Sequence, residues 1–328
     1  MTNARMADLY TRLASIGFPR KYVRDVVLPE WWEDDVGESP AGFDECAILL
    51  ARHMGADIHS IKSPDTITLK GLTEAKFKKT KRTATGNLSL ACSMGLRAAM
   101  LAVAATDTEY RNPEDATEIR SDILQSGRIP NLGSLVDYCW DCGIPVLHLS
   151  NFPARSRKMD GMAVVVDKRP AIIICKNSRL SGWLLFILAH ELGHICRRHV
   201  SDGVIVDESI GESDEDRDEH EADEFAIHLL NGDVRRSYRT QGRRPNASDL
   251  ARLAIELGQR EHVDPSHIVL NYTNSLGQSF YGLANAALRK IEPNANAPAD
   301  INRRVHERLN WNALPEESSE FLVRLMGQ

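Results

Sequence analysis

Trp183-Leu184-Leu185-Phe186-Ile187-Leu188-Ala189-His190-Glu191-Leu192-Gly193-His194-Ile195-Cys196 is an apolar helical run into which two imidazoles and a carboxylate are set. Residues four apart share a helical face, so His190 and His194 can grip one metal ion between them. Glu191 projects beside them, placed to take a proton from water at that metal. A buried helix does not carry such groups idly, because each polar group buried without a partner costs about 1–3 kcal/mol. The reading that follows is a zinc site with Glu191 as general base.

A catalytic zinc has three protein ligands and one open position. Gly193-His194-Ile195-Cys196-Arg197-Arg198-His199 does not supply the third ligand by continuing into HExxHxxGxxH. With the helix expected to run from about Trp183 to His199, His199 falls on a different face. The better source is Asp218-Glu219-His220-Glu221-Ala222-Asp223-Glu224-Phe225-Ala226, an acidic second helix expected from about residue 216. Glu219 and Asp223 are four apart and share a face, so one can bind the metal while the other orients a ligand imidazole. Glu219 is read as the ligand and Asp223 as the orienting carboxylate, with Glu221 as the alternative ligand.

Working outward, residues 132–142 read as a helix closed by Gly143, and 145–149 as a short strand. Met162 to Val166 and Ala171 to Cys175 are β-rich runs around Asp167-Lys168-Arg169-Pro170, a hairpin in which Pro170 suggests an edge strand. Ser178 and Ser181 are expected helix caps ahead of Trp183. Farther out the chain is helical: 4–16, a helix opened by Pro19, 43–54, an apolar helix to Ala105, 246–261, one opened by Pro265, and a tail around 316–326. Residues 292–300, rich in Pro, Asn and Ala, read as a linker. The expected class is α+β, divided as a helical domain over 1–70, a basic segment and buried helix over 71–115, the metal-binding domain over 116–235 and a helical region over 236–328.

Several blocks in this order, Gly143-Ile144-Pro145-Val146, Asp160-Gly161, Ile172 to Cys175, residues 186–194 and residues 219–230, resemble the ImmA/IrrE family of metallopeptidases. The resemblance covers roughly residues 122–230, about a third of the chain. It implies a zincin-like fold, in which a small sheet packs on the HExxH helix and the next helix carries the third ligand. It also implies a regulatory zinc endopeptidase that cleaves a helix-turn-helix transcriptional repressor and so switches on phage, mobile-element, stress or defence genes. Two departures stand out: the segment between the motifs is unusually acidic, and Leu229-Leu230 runs into Asn231-Gly232-Asp233 where the family has a proline.

Composition sets outer bounds. The chain has 328 residues, 42% of them hydrophobic, enough for a sizeable core. A net charge of −6 argues against sequence-wide affinity for nucleic acid. Six scattered cysteines form no disulfide framework, and the first residues carry no secretory signal, so a cytoplasmic protein is expected. The apolar run 88–105 contains Arg97 and is too polar for a membrane span, so no membrane is expected as a partner.

Weaker signals surround the motif. The N-terminal helices loosely resemble an XRE-type helix-turn-helix, which would let Arg20, Lys21 and Arg24 meet DNA phosphates, although an acidic stretch follows closely. Trp31-Trp32 reads as core rather than a base-stacking platform. Lys76 to Arg82 is a basic cluster, better read as a solvated linker than as a binding patch. The acidic run 202–218 reads as a solvated loop. Cys139-Trp140-Asp141-Cys142 is a lone CxxC and reads as buried structural thiols, as does Cys196. His228, His267 and Tyr272 are donors that could stabilise a transition state near the metal. Two other classes compete with the protease: a DNA-binding regulator whose zinc site is non-catalytic, and an antitoxin-like protein that holds a partner stoichiometrically.

Overall fold

The computed structural model describes residues 4–64, 66–69, 85–113, 115–154, 159–200, 203–206, 214–239 and 243–328. The basic cluster 76–82 lies outside them, as do residues 202 and 207–213 of the acidic run. In chain order the helices and strands are α1 (Ala4–Ser15), α2 (Arg20–Tyr22) continued by a π-helical turn (Val23–Val27), α3 (Pro40–Met54), α4 (Ile58–Lys62), α5 (Thr85–Ala104), α6 (Ala116–Gln125), α7 (Leu132–Asp141), β1 (Val146–His148), β2 (Gly161–Val166), β3 (Arg169–Ile174), α8 (Ser181–Cys196), β4 (Gly203–Val206), α9 (Asp214–Asn231), α10 (Ala247–Glu261), α11 (Pro265–Leu276), α12 (Tyr281–Ile291), α13 (Ala297–Arg308) and α14 (Glu316–Leu325). The protein is α+β, mostly helical, with one small sheet among the described residues.

The sheet runs in the order β1-β3-β2-β4. β2 and β3 form a hairpin whose two turn residues, Asp167 and Lys168, both have positive φ (49° and 67°), the geometry of a two-residue type I′ turn. Pro170 had suggested an edge strand, yet β3 lies inside the sheet with β1 parallel on its other side. The pairing with β1 begins only at Ile172, beyond the proline, so the missing amide takes nothing from the ladder. The outer side of β1 is closed by a side chain: Asn302 of α13 accepts from the His148 amide and donates to the His148 carbonyl, both at 2.9 Å.

Successive strand residues face opposite sides of a sheet, and β2 uses both. A Cβ at Gly161 would meet Ile187 and Glu191 of α8, whereas Met162 packs against Gly95 of α5. The apolar run expected to be a buried helix is α5, and it lies on the sheet face opposite α8. No described helix is long and apolar enough to cross a membrane.

Buried side chains divide the chain differently from the composition boundaries. One core joins α1 and α3 to α5, the sheet, α8, α9, α13 and α14. A smaller one gathers Tyr238 with α10, α11 and α12. Trp183 lies against both, and its indole donates to Asn285 at 2.9 Å. The stretch 292–300 is less a linker than expected: α13 begins at Ala297, and Glu292 accepts from Ser181 and Ser266. Neither Ser178 nor Ser181 caps α8 through its own side chain. The Glu292 carboxylate receives the Ser181 amide and hydroxyl instead, placing negative charge at the positive end of the helix.

Arg20 and Arg24 both pair with Asp34, at 2.6 and 2.8 Å, and Tyr10 donates to the same carboxylate. These two guanidiniums, which the sequence offered to phosphates, therefore hold the N-terminal helices to the loop before α3. Trp32 is buried, while Trp31 is about half exposed (47%). Cys139 and Cys142 are both buried free thiols, and Cys196 is partly buried.

Candidate metal centre

Two helices build the centre. α8 carries His190, Glu191 and His194; α9 carries Glu219 and Asp223. They touch at Gly193, where an added Cβ would stand 3.1 Å from the Phe225 ring and 3.2 Å from Ala222 Cα and its carbonyl oxygen. The glycine inside the motif is therefore what lets α9 approach closely enough for Glu219 to meet the imidazoles. At its far end α9 is fixed by Arg120 of α6. This buried guanidinium donates to the Leu229 and Leu230 carbonyls at 3.1 and 2.9 Å, and to the His262 carbonyl at 2.8 Å. Helix C-termini leave carbonyls unpaired and carry partial negative charge, so a cation there answers both needs.

His190 Nε2 and His194 Nε2 lie 3.1 Å apart. His190 Nε2 is 3.3 Å from one Glu219 oxygen, and His194 Nε2 is 3.3 Å from the other. Zinc bonds nitrogen and oxygen at about 2.0–2.1 Å in a tetrahedron, whose edges are then about 3.3 Å long. Each contact has the length of a tetrahedral edge, and the two contacts to Glu219 are made by its two oxygens. Among the described residues, His190, His194 and Glu219 form the group able to hold a metal ion.

The protonation pattern agrees. His190 Nδ1 lies 2.9 Å from Asp223 Oδ1; the carboxylate only accepts, so Nδ1 carries the proton and Nε2 presents its lone pair to the centre. Burial holds the His194 imidazole below its ordinary pKa, which keeps it neutral and able to ligate. Glu191 is fully buried (0%), with its side chain against Gly161.

The expected ligand set thus comes together, with Asp223 on His190. The alternative ligand, Glu221, is not in the cluster: its oxygens lie 3.2 Å from His199 and 2.8 Å from Arg217. Of the three donors read as transition-state partners, one stands on α9 and two on α11. His228 lies nine residues along α9 from Glu219, about 13 Å away at 1.5 Å per residue. His267 and Tyr272 are buried in α11.

Sequence reasoning missed His199. α8 ends at Cys196 rather than continuing, and the following turn is left-handed at Arg198 (φ 58°). The Arg198 amide donates to the Ile195 carbonyl and the His199 amide to the His194 carbonyl, both at 3.0 Å, the bond pair of a Schellman cap. This turn brings His199 Nδ1 to 3.0 Å from His194 Nδ1. A glycine after Arg197 would have signalled the cap; an arginine gives no such sign.

No family model matches the chain, and neither a curated protein nor a solved structure is similar to it.

Proposed function

We propose that the protein is a zinc-dependent endopeptidase of the HExxH class with a zincin-like catalytic region, akin to the ImmA/IrrE peptidases it resembles in sequence. The observation that carries this reading is the convergence of His190 Nε2, His194 Nε2 and the two Glu219 oxygens, with contacts of 3.1, 3.3 and 3.3 Å, beside a buried Glu191. Donors of two nitrogens and one carboxylate suit zinc, and three protein ligands would leave the ion open to water or substrate.

When bound, zinc supplies Lewis acidity, polarising a carbonyl and acidifying water. The chain's residues do the rest. His190, His194 and Glu219 hold the ion, and Asp223 fixes the His190 ring with its Nε2 inward. The Glu191 carboxylate takes the proton from the attacking water and delivers it to the leaving amine nitrogen. Gly161, with no side chain, leaves that carboxylate its space.

The substrate we infer is a helix-turn-helix transcriptional repressor, making the protein a regulatory protease of the cytoplasm. This part rests on the sequence resemblance alone. The test is a matched pair, wild type and Glu191→Gln, assayed for zinc by elemental analysis and incubated with the repressors encoded beside the gene. One zinc per chain in both, with cleavage by wild type only, is the expected result. Zinc in both with no cleavage of any neighbour points instead to a stoichiometric binding protein or a DNA-binding regulator with a non-catalytic site. Zinc in neither overturns the reading.

A further inference from the structure

Among the described residues, no carboxylate meets His194 Nδ1 as Asp223 meets His190 Nδ1. Its Nδ1 meets the Nδ1 of His199, and His199 Nε2 in turn lies 3.2 Å from Glu221 and 3.8 Å from Asp218. The carboxylate at the end of this chain gives its hydrogen bonds a direction. Glu221 only accepts, so His199 turns an Nε2 proton towards it. Its Nδ1 is then an acceptor, so His194 donates from Nδ1 and presents its Nε2 lone pair to Glu219 and His190. Three further observations show the arrangement is built rather than incidental. The His199 side chain is only 7% exposed. Arg198 adopts a left-handed conformation (φ 58°), unfavourable for a residue with a Cβ, and so turns the chain back towards α8. Arg217 holds the second Glu221 oxygen at 2.8 Å, aiming the first at His199.

We propose that His199, anchored by Glu221, is a positioning residue of the metal centre: it relays the carboxylate to His194 and locks that ligand in the tautomer and orientation that bind the ion. The two imidazole ligands are thereby oriented by different devices, His190 by a carboxylate directly and His194 by a carboxylate acting through a second imidazole. Both carboxylates stand on α9, the helix that also supplies Glu219, so one helix provides a ligand and orients the other two.

This inference rests on the metal centre being real, and the experiment separates the two. Zinc affinity of the full-length protein is measured by competition with a chromophoric chelator for wild type, His199→Ala, His199→Gln and Glu221→Ala. Visible spectra of the cobalt-substituted forms and melting of the metal-free forms are recorded alongside. His199→Ala and Glu221→Ala are expected to weaken zinc binding ten- to a hundred-fold, the usual effect of removing a group that orients a ligand, and to shift the cobalt bands. Metal-free melting should barely move for Glu221→Ala, whose side chain is a third exposed (33%). His199→Gln, whose amide oxygen accepts the same proton, should recover part of the affinity. Wild-type affinity and unchanged cobalt spectra in both alanine variants would overturn the relay while leaving the centre intact. Failure of the wild type itself to bind zinc or cobalt would remove the centre and the relay together.

Discussion

Glu191 and Gly161 form a pair in which the smaller residue decides what the larger can do. A Cβ at Gly161 would lie 2.7 Å from Glu191 Oε1 and 2.6 Å from Ile187 Cγ2, closer than side chains tolerate. Gly161→Ala should therefore leave zinc content unchanged while lowering peptide hydrolysis more than tenfold, because it displaces the base and not the ligands. It should also destabilise by about 1–3 kcal/mol, the usual effect of overpacking; elemental analysis, a cleavage assay and urea unfolding on one preparation check all three. Asp223→Ala should weaken zinc binding ten- to a hundred-fold in the chelator competition, by freeing the His190 ring. The meeting of His190, His194 and Glu219, with Asp223 on His190, was legible in the sequence because each pair is set by helical spacing alone, 190 with 194 and 219 with 223. His199 was not, because its place depends on where α8 stops, and Arg198 enters the left-handed region without the glycine that would announce it.

Among the elements, the crossing of α8 and α9 sets the geometry of the centre. Gly193→Val keeps all three ligands but puts a branched side chain where Phe225 and Ala222 already stand at 3.1–3.2 Å. The expected outcome is loss of stoichiometric zinc in a folded protein, read by elemental analysis and circular dichroism. A protein that folds with one zinc per chain would show that α9 can be pushed outward at no loss. Arg120→Met tests the other end of α9. It strips a charged donor from three carbonyls and should lower unfolding free energy by about 2–4 kcal/mol, given that hydrogen bonds to charged groups are worth about 1.5–3 kcal/mol each. The long periodic helices and the β2–β3 hairpin could be read from the sequence. Harder to read were β4, embedded in an acidic stretch, and α13, hidden by Pro298 and by Asn and Ala that look like a linker. The cap on α8 comes from Glu292, more than a hundred residues away, and so left no local mark.

At the scale of the whole molecule, two buried imidazoles outside the candidate metal centre make stability depend on pH, in the same direction as buried His194. Burial pushes His53 and His267 down to about 4. In the unfolded chain each titrates near 6.5, so below that value the unfolded state binds protons that the native state refuses. Their contribution is whole above about pH 6.5 and falls as pH drops towards 4, by about 2 kcal/mol each at pH 5. Asp264 works the other way: burial raises it to about 6, and its protonation in the native state returns about 1 kcal/mol over the same interval. Urea unfolding of the metal-free protein should therefore show a net loss of about 3 kcal/mol between pH 7 and pH 5. A flat profile would mean that these imidazoles meet water in the native state. The division into domains read from composition missed the shared core, because a charge run or a proline-rich stretch marks a break in pattern and not a break in packing.

His53 also joins distant parts of the chain. Its ring stacks on Phe321 at 4.5 Å and its Nε2 lies 3.3 Å from Ser318, 265 residues later, while Arg324 donates to the Leu28 carbonyl at 2.6 Å. On the ribosome, chains grow at about 5–20 residues per second, so roughly 15–50 s pass between the emergence of α3 and that of the helix it packs against. Throughout that interval the apolar faces of the N-terminal helices lack their final cover. The packing of α3 is completed only once α14 has been made, so the first helices of the chain wait for almost the last.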